Sequence, residues 1–119
     1  MSIPQKHLNL IHKWAATGGA TAGALPVGAD AAALIAEEIL MVIHIGSLFG
    51  VDIDKSTAKG IQTALIASAV GVGAHAAAIT GLESANLGYP WTIPVKIGIA
   101  VGIIELLGRA AYRYFEEHH

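Results

Sequence analysis

Asp30, Glu37 and His44 come nearest to a chemical constellation in this 119-residue sequence. Seven residues apart, they fall along one face of any helix that holds them, with Glu38 beside the stripe. Such a face is a candidate proton relay, ion path or partner-docking surface, because ionisable groups on an apolar helix turn toward a cavity or toward one another. Successive members stand about 10 Å apart along a helix axis, too far to ligate one metal directly. The plainer alternative is a helix cap, a solvated carboxylate and a hydrogen-bonded histidine.

Other constellations are weaker. A carboxylate-bridged di-metal site needs Glu-x-x-His on facing helices, and neither Glu37 nor Glu38 has a histidine three positions later. His7 and His12 open the chain and are expected on the surface, whereas His75 stands alone among small residues and is expected to be hydrogen-bonded rather than metallated. Glu105 and Arg109, at i and i+4, are expected to pair. The sequence contains no Gly-x-Ser-x-Gly, no phosphate-cradling Gly-x-x-x-x-Gly-Lys-Ser/Thr and no Cys/His cluster. No catalytic residue, metal site or cofactor is predicted, and the chain is expected to be non-enzymatic.

The elements that carry these residues are unusually poor in charge. Charged residues make up 13% and apolar ones 54%, against about 25% and about 45–50% in ordinary soluble domains. With seven basic and nine acidic side chains, something besides water is expected to cover part of a domain this small. The net charge of −2 offers no basic footprint for nucleic acid. Cysteine is absent, so disulfides and thiolate ligands are excluded. Residues 1–7 lack the layout of a cleavable signal peptide.

Hydrophobic periodicity and turn residues divide the chain, read as one domain over 1–119, into four helices. The first runs from Gln5 to Ala24. A turn at Leu25–Ala29 leads to a second helix capped by Asp30, ending near Phe49 and closed by Gly50. Asp54 or Ser56 caps a third, expected to continue to about Leu82, and a turn at Asn86–Pro90 precedes a fourth over Ile93–Glu117. The fold class is therefore all-α: a four-helix up-down bundle or a pair of helical hairpins, packed through Gly and Ala and expected to be oligomeric. Ala64, Ser68 and Gly71 on the third helix, and Gly98-x-x-x-Gly102 on the fourth, form small-residue faces that permit close helix approach within or between subunits.

Gly60 to Leu82 holds no Asp, Glu, Lys or Arg. About 20 apolar residues suffice to span the hydrocarbon core of a bilayer, so this stretch is expected to be covered by lipid or by other copies of the chain. Lys6 and Lys13, Lys55 and Lys59, and Arg109 and Arg113 share one side of an up-down arrangement, with Lys96 the exception. That asymmetry predicts a bacterial inner-membrane location with cytoplasmic termini. Glu37 and Glu38 oppose full spanning by the second helix, since an ionised carboxylate in lipid costs about 2.5–3.5 kcal/mol or more. The expected function is a self-assembling membrane scaffold or anchor. The alternatives are a small oligomeric channel using the polar stripe, and a soluble helical cage or ring.

The segment Leu25-Pro26-Val27-Gly28-Ala29-Asp30, continuing through Glu37-Glu38-Ile39-Leu40-Met41-Val42-Ile43-His44-Ile45 to Phe49-Gly50-Val51, resembles a bacterial helical family of unknown function. That family accompanies or follows Era-like small GTPase domains. Pro26, Asp30, Glu38, Met41 and Phe49-Gly50-Val51 fill its pattern, and Pro94–Phe115, with Gly108 and Tyr114-Phe115, looks similar as well. The resemblance extends over about residues 14–117. It implies a helical, membrane-associated module without established catalysis, working beside a small GTPase. The sequence departs from the pattern at Glu37 and Glu38, where members often carry Gln.

Overall fold

The structure, a computed structural model, describes residues 3–24, 29–84 and 92–118. Helix accounts for 90% of it, and no strand occurs among the described residues. In order, the elements are α1 (Gln5–Ala24), α2 (Ala29–Leu48), α3 (Lys55–Leu65), a π-helical turn (Ile66–Val70), α4 (Val72–Ser84) and α5 (Thr92–His118). Of the turn expected at Leu25–Ala29, Ala29 belongs to α2 and the rest lies outside the described residues, as does the turn expected at Asn86–Pro90. Asp30 does not precede α2 as its cap; it is the second residue of a helix that begins at Ala29.

Helical spacing of apolar residues assembles the core. On α5, Ala100, Ile104, Leu107, Ala111 and Phe115 recur at intervals of three and four and are buried. They meet Ile11 and Ala15 of α1 and Leu34, Met41, Val42 and Ile45 of α2 in one cluster. Residue pairings give the directions. The His7 ring meets Phe49 at a tilt and Tyr112 edge to face, with centroids 5.0 and 4.8 Å away, while Gly18 approaches Ile104 and Glu37. Thus α1 runs antiparallel to both α2 and α5. The six-residue connection between Leu48 and Lys55, together with the buried contact between Glu38 and Gln62, sets α3 antiparallel to α2.

This topology gathers the starts of α1 and α3 and the end of α5 at one end. Lys6, Lys13, Lys55, Lys59, Arg109 and Arg113 lie in that half, together with Asp52, Asp54, Glu105, Glu116 and Glu117. The Glu105–Arg109 pair forms, at 3.5 Å, and Glu105 also meets His12 of α1 at 2.5 Å. In the other half, the described charged side chains are Glu37 and Glu38, neither of them exposed; Asp30, Glu83 and Lys96 also belong there by sequence.

Two expectations are corrected. The third helix is not continuous to Leu82: it breaks at Gly71, and the segments Lys55–Val70 and Gly73–Thr80 meet at 105°. His7 is not a surface residue but buried, held in the aromatic cluster of Phe49, Tyr112 and Phe115. Burial, with a smaller contribution from the charge on Lys6, moves its imidazole below the usual histidine range.

Close approach inside the subunit uses glycines other than those on the expected small-residue faces. A β-carbon at Gly108 would lie 2.8 Å from Ile11 Cγ2 and 3.2 Å from Met41 Sδ, and one at Gly46 would lie 2.9 Å from Phe115 Cζ. At Gly60, Gly98 and Gly102 it would meet nothing within 4 Å. Gly108→Ala should therefore lower stability by about 1–3 kcal/mol through overpacking. Gly60→Ala should raise it by about 0.4–1 kcal/mol by restricting the unfolded chain. Chemical denaturation of the two variants checks this, and equal shifts would refute the assigned α1–α2–α5 contact.

Candidate functional site

The most distinctive polar arrangement is built at the break after α3. Asp54 starts α3, its Oδ1 accepting the Thr57 backbone N–H at 2.7 Å. That backbone hydrogen bond, more than any other influence, holds the exposed Asp54 carboxyl below the usual carboxylate range. Past Leu65 the ladder slips by one residue, and the Gly71 N–H donates to the Ile66 carbonyl five positions back, at 2.6 Å. Gly71 then takes φ +96° and ψ 126°, a conformation that a β-carbon disfavours and glycine adopts freely. The His75 N–H bonds back to the Gly71 carbonyl at 3.0 Å and opens α4.

The break decides which side chains meet. On an uninterrupted helix, Gln62 and His75 would point about 140° apart and lie about 20 Å apart along the axis. Here both reach the carboxylate of Glu38 on α2. Gln62 Nε2 donates to Glu38 Oε1 at 2.8 Å, and His75 Nε2 lies 3.1 Å from Oε1 and 3.0 Å from Oε2. Glu38 is 0% exposed and Gln62 4%, while the His75 side chain retains 13%. A π-turn that re-aims side chains in this way recurs at functional positions in helical proteins.

Burial dominates the electrostatics of Glu38, pushing its carboxyl above the usual range against the opposing pull of His75 and the hydrogen bonds from Gln62 and His75. Whichever of Glu38 and His75 carries it, one proton at their contact gives a neutral pair, and that is the economical state for a carboxylate sealed from water. Chemically the arrangement can store or exchange one proton at an apolar helix junction. Among the described residues, no three His, Asp or Glu side chains converge on a point where a metal could sit.

The stripe expected on α2 does not converge. Glu37 is half-buried at the α1 interface, where its carboxylate approaches Gly18. His44 is exposed and takes the Trp14 indole N–H on Nδ1 at 3.4 Å. Both therefore face α1, while the Asp30 side chain lies outside the described residues. Ala64 and Ser68 are exposed on α3 and the π-turn, and Gly71 forms the break itself. Gln62 was missed by sequence reasoning. Its signal was available: apart from His75, it is the longest polar side chain between Gly60 and Leu82.

No single described helix is long and apolar enough to cross a membrane; the bent pair Lys55–Val70 and Gly73–Thr80 meets that length and composition only when taken together. No family model matches the chain, and no curated protein or solved structure does either.

Removing the carboxylate should be costly. Glu38→Ala strands Gln62 and His75 and is expected to lose about 3–5 kcal/mol in denaturant unfolding. Glu38→Gln keeps the shape and a hydrogen-bonding group, so its loss should be smaller. Because the Glu38 carboxyl is raised in the folded state, the native protein binds its proton more tightly than the unfolded chain does. Its contribution is thus complete at low pH and declines as pH rises from about 4.5 through the raised value. That decline should be absent in Glu38→Gln; an unchanged pH slope in this variant would contradict the assignment.

Proposed function

We propose that this chain is a non-enzymatic, membrane-associated helical protein that self-assembles and serves as a scaffold or anchor at the cytoplasmic face of a bacterial inner membrane. The observation that carries this reading is the division of charge along the bundle. Among the described residues, one half bears nearly all of the charged side chains, whereas the other holds Glu37 and Glu38, neither of them exposed, and includes the bent pair through α4, with no formal charge from Gly60 to Leu82. Exposed positions on this pair include Ala67, Ala69, Ala74, Ala76 and Ala77. Water gains little from such a surface, and a bilayer tolerates it because the backbone polar groups are already paired within helices. The bend supports shallow insertion, with the half that holds the bent pair entering one leaflet and the charged end remaining at the headgroups.

Self-association is supported by the outer face of α5. Val95, Gly98, Gly102 and Leu106 recur every three or four residues on one stripe, with Val95 53% and Leu106 55% exposed. Nothing in the chain approaches a β-carbon placed at either glycine. In lipid, glycines so spaced let two helix backbones pack closely, which makes a second copy the natural occupant. The resemblance over residues 26–51 adds a small GTPase as the proposed soluble partner. Glu37 and His44 turn to α1 instead of lining a common path, so the channel alternative gains no support.

Cell fractionation followed by sizing with and without detergent tests the proposal. The chain should sediment with membranes and emerge in detergent as an oligomer. The double substitution Gly98→Leu/Gly102→Leu should reduce its size without loss of helix by circular dichroism. A wholly soluble monomer would overturn the reading, and a discrete large assembly formed without detergent would replace it with a soluble ring.

A further inference from the structure

An open pocket of about 390 Å3 lies between α2 and α3, lined by Ala36, Ile39, Leu40, Lys55, Ser56 and Lys59. We propose that it binds an anionic phospholipid, with the phosphate at the two lysines and Ser56 and the start of an acyl chain on Ala36, Ile39 and Leu40. This inference rests on the membrane-associated reading and specifies which lipid chemistry the protein recognises.

Charge complementarity argues for that occupant. Lys55 and Lys59 are one helical turn apart, so their ammonium groups can serve one phosphate. Both are exposed, and neither takes part in an ion pair among the described residues. The neighbouring carboxylate Asp54 accepts the Thr57 N–H, and no acidic side chain lines the pocket. Ser56 supplies a hydroxyl in the first turn of α3, where the helix dipole also favours an anion.

The apolar floor argues against a small hydrophilic anion. Leu40 is 41% exposed, an unfavourable position for a leucine in water and a favourable one against a lipid chain. The pocket also straddles the boundary between the two halves of the bundle, because α2 and α3 are antiparallel. Lys55 lies toward the charged end and Ala36 toward the low-charge end, so the pocket has the polarity of a phospholipid at an interface. Its volume is near the lower end of ligand sites, about 300–1,000 Å3, suited to a headgroup and the first part of one chain.

Co-sedimentation of the full chain with vesicles tests the assignment. Wild type should bind phosphatidylcholine vesicles containing phosphatidylglycerol more tightly than pure phosphatidylcholine. At about fivefold per lysine, Lys55→Gln/Lys59→Gln should weaken binding to the anionic vesicles about 25-fold. The control Lys6→Gln/Lys13→Gln removes the same charge elsewhere in the charged half and should change binding far less. Leu40→Ser should also weaken it, whereas excess soluble glycerol phosphate should not displace the protein. Equal losses in the two lysine pairs would overturn the pocket in favour of diffuse surface charge. Displacement by glycerol phosphate would overturn the lipid assignment in favour of a free phosphate ester. Wild-type binding that is equal on neutral and anionic vesicles would refute the inference while leaving membrane association intact. Failure to bind any vesicle would remove both. Unchanged circular dichroism in each variant excludes misfolding as the cause.

Discussion

A carboxylate sealed from water sets the terms for this structure. Glu38 sits among apolar side chains on α2, and its desolvation must be offset by hydrogen bonds that water would otherwise provide. Gln62 and His75 come from the same stretch of chain yet both reach this carboxyl group, which a straight helix could not arrange. The shift from i→i+4 to i→i+5 bonding at Ile66–Val70, and the left-handed turn at Gly71, are thus coupled to Glu38: the break positions the donors, and the carboxylate secures the break.

Around that junction, α1, α2 and α5 form a more conventional frame. Their close approach depends on glycines where large side chains cross, with Ile11 and Met41 over Gly108 and Phe115 against Gly46. The aromatic group of Phe49, Tyr112 and Phe115 around His7 closes the charged end. Packing this tight fixes α2 and so gives Glu38 a defined position. The α3–α4 unit then docks on α2 and α5 as a bent flap with a small-residue exterior.

Much of the frame was legible in the sequence because periodicity and turn residues agree there. The limits of α1, the close of α2 near Gly50, the Asp54 cap and the extent of α5 all follow from local signals. The break at Gly71 was not legible, because Gly71 lies in a run of Gly and Ala whose weak local preferences leave tertiary contacts to decide. Spacing correctly identified a face of α2 containing Glu37 and His44, but it could not say that this face meets α1. Glu38, one position away, turns toward α3 and α4, so a rotation of about 100° separates an interfacial carboxylate from a fully buried one. His75 could be expected to have a partner, but its identity required the bend.

Gly71 also makes tolerance to sequence change uneven across the glycines. Gly60, Gly73, Gly98 and Gly102 leave room for a side chain on an ordinary helical backbone, so drift at these sites would leave the subunit intact. At Gly71, any replacement bears the cost of φ +96°, and relief by straightening would swing His75 away and leave Glu38 with Gln62 alone. A single codon thus holds the orientation of α4 and the neutralisation of a carboxylate on another helix, two properties that cannot vary independently.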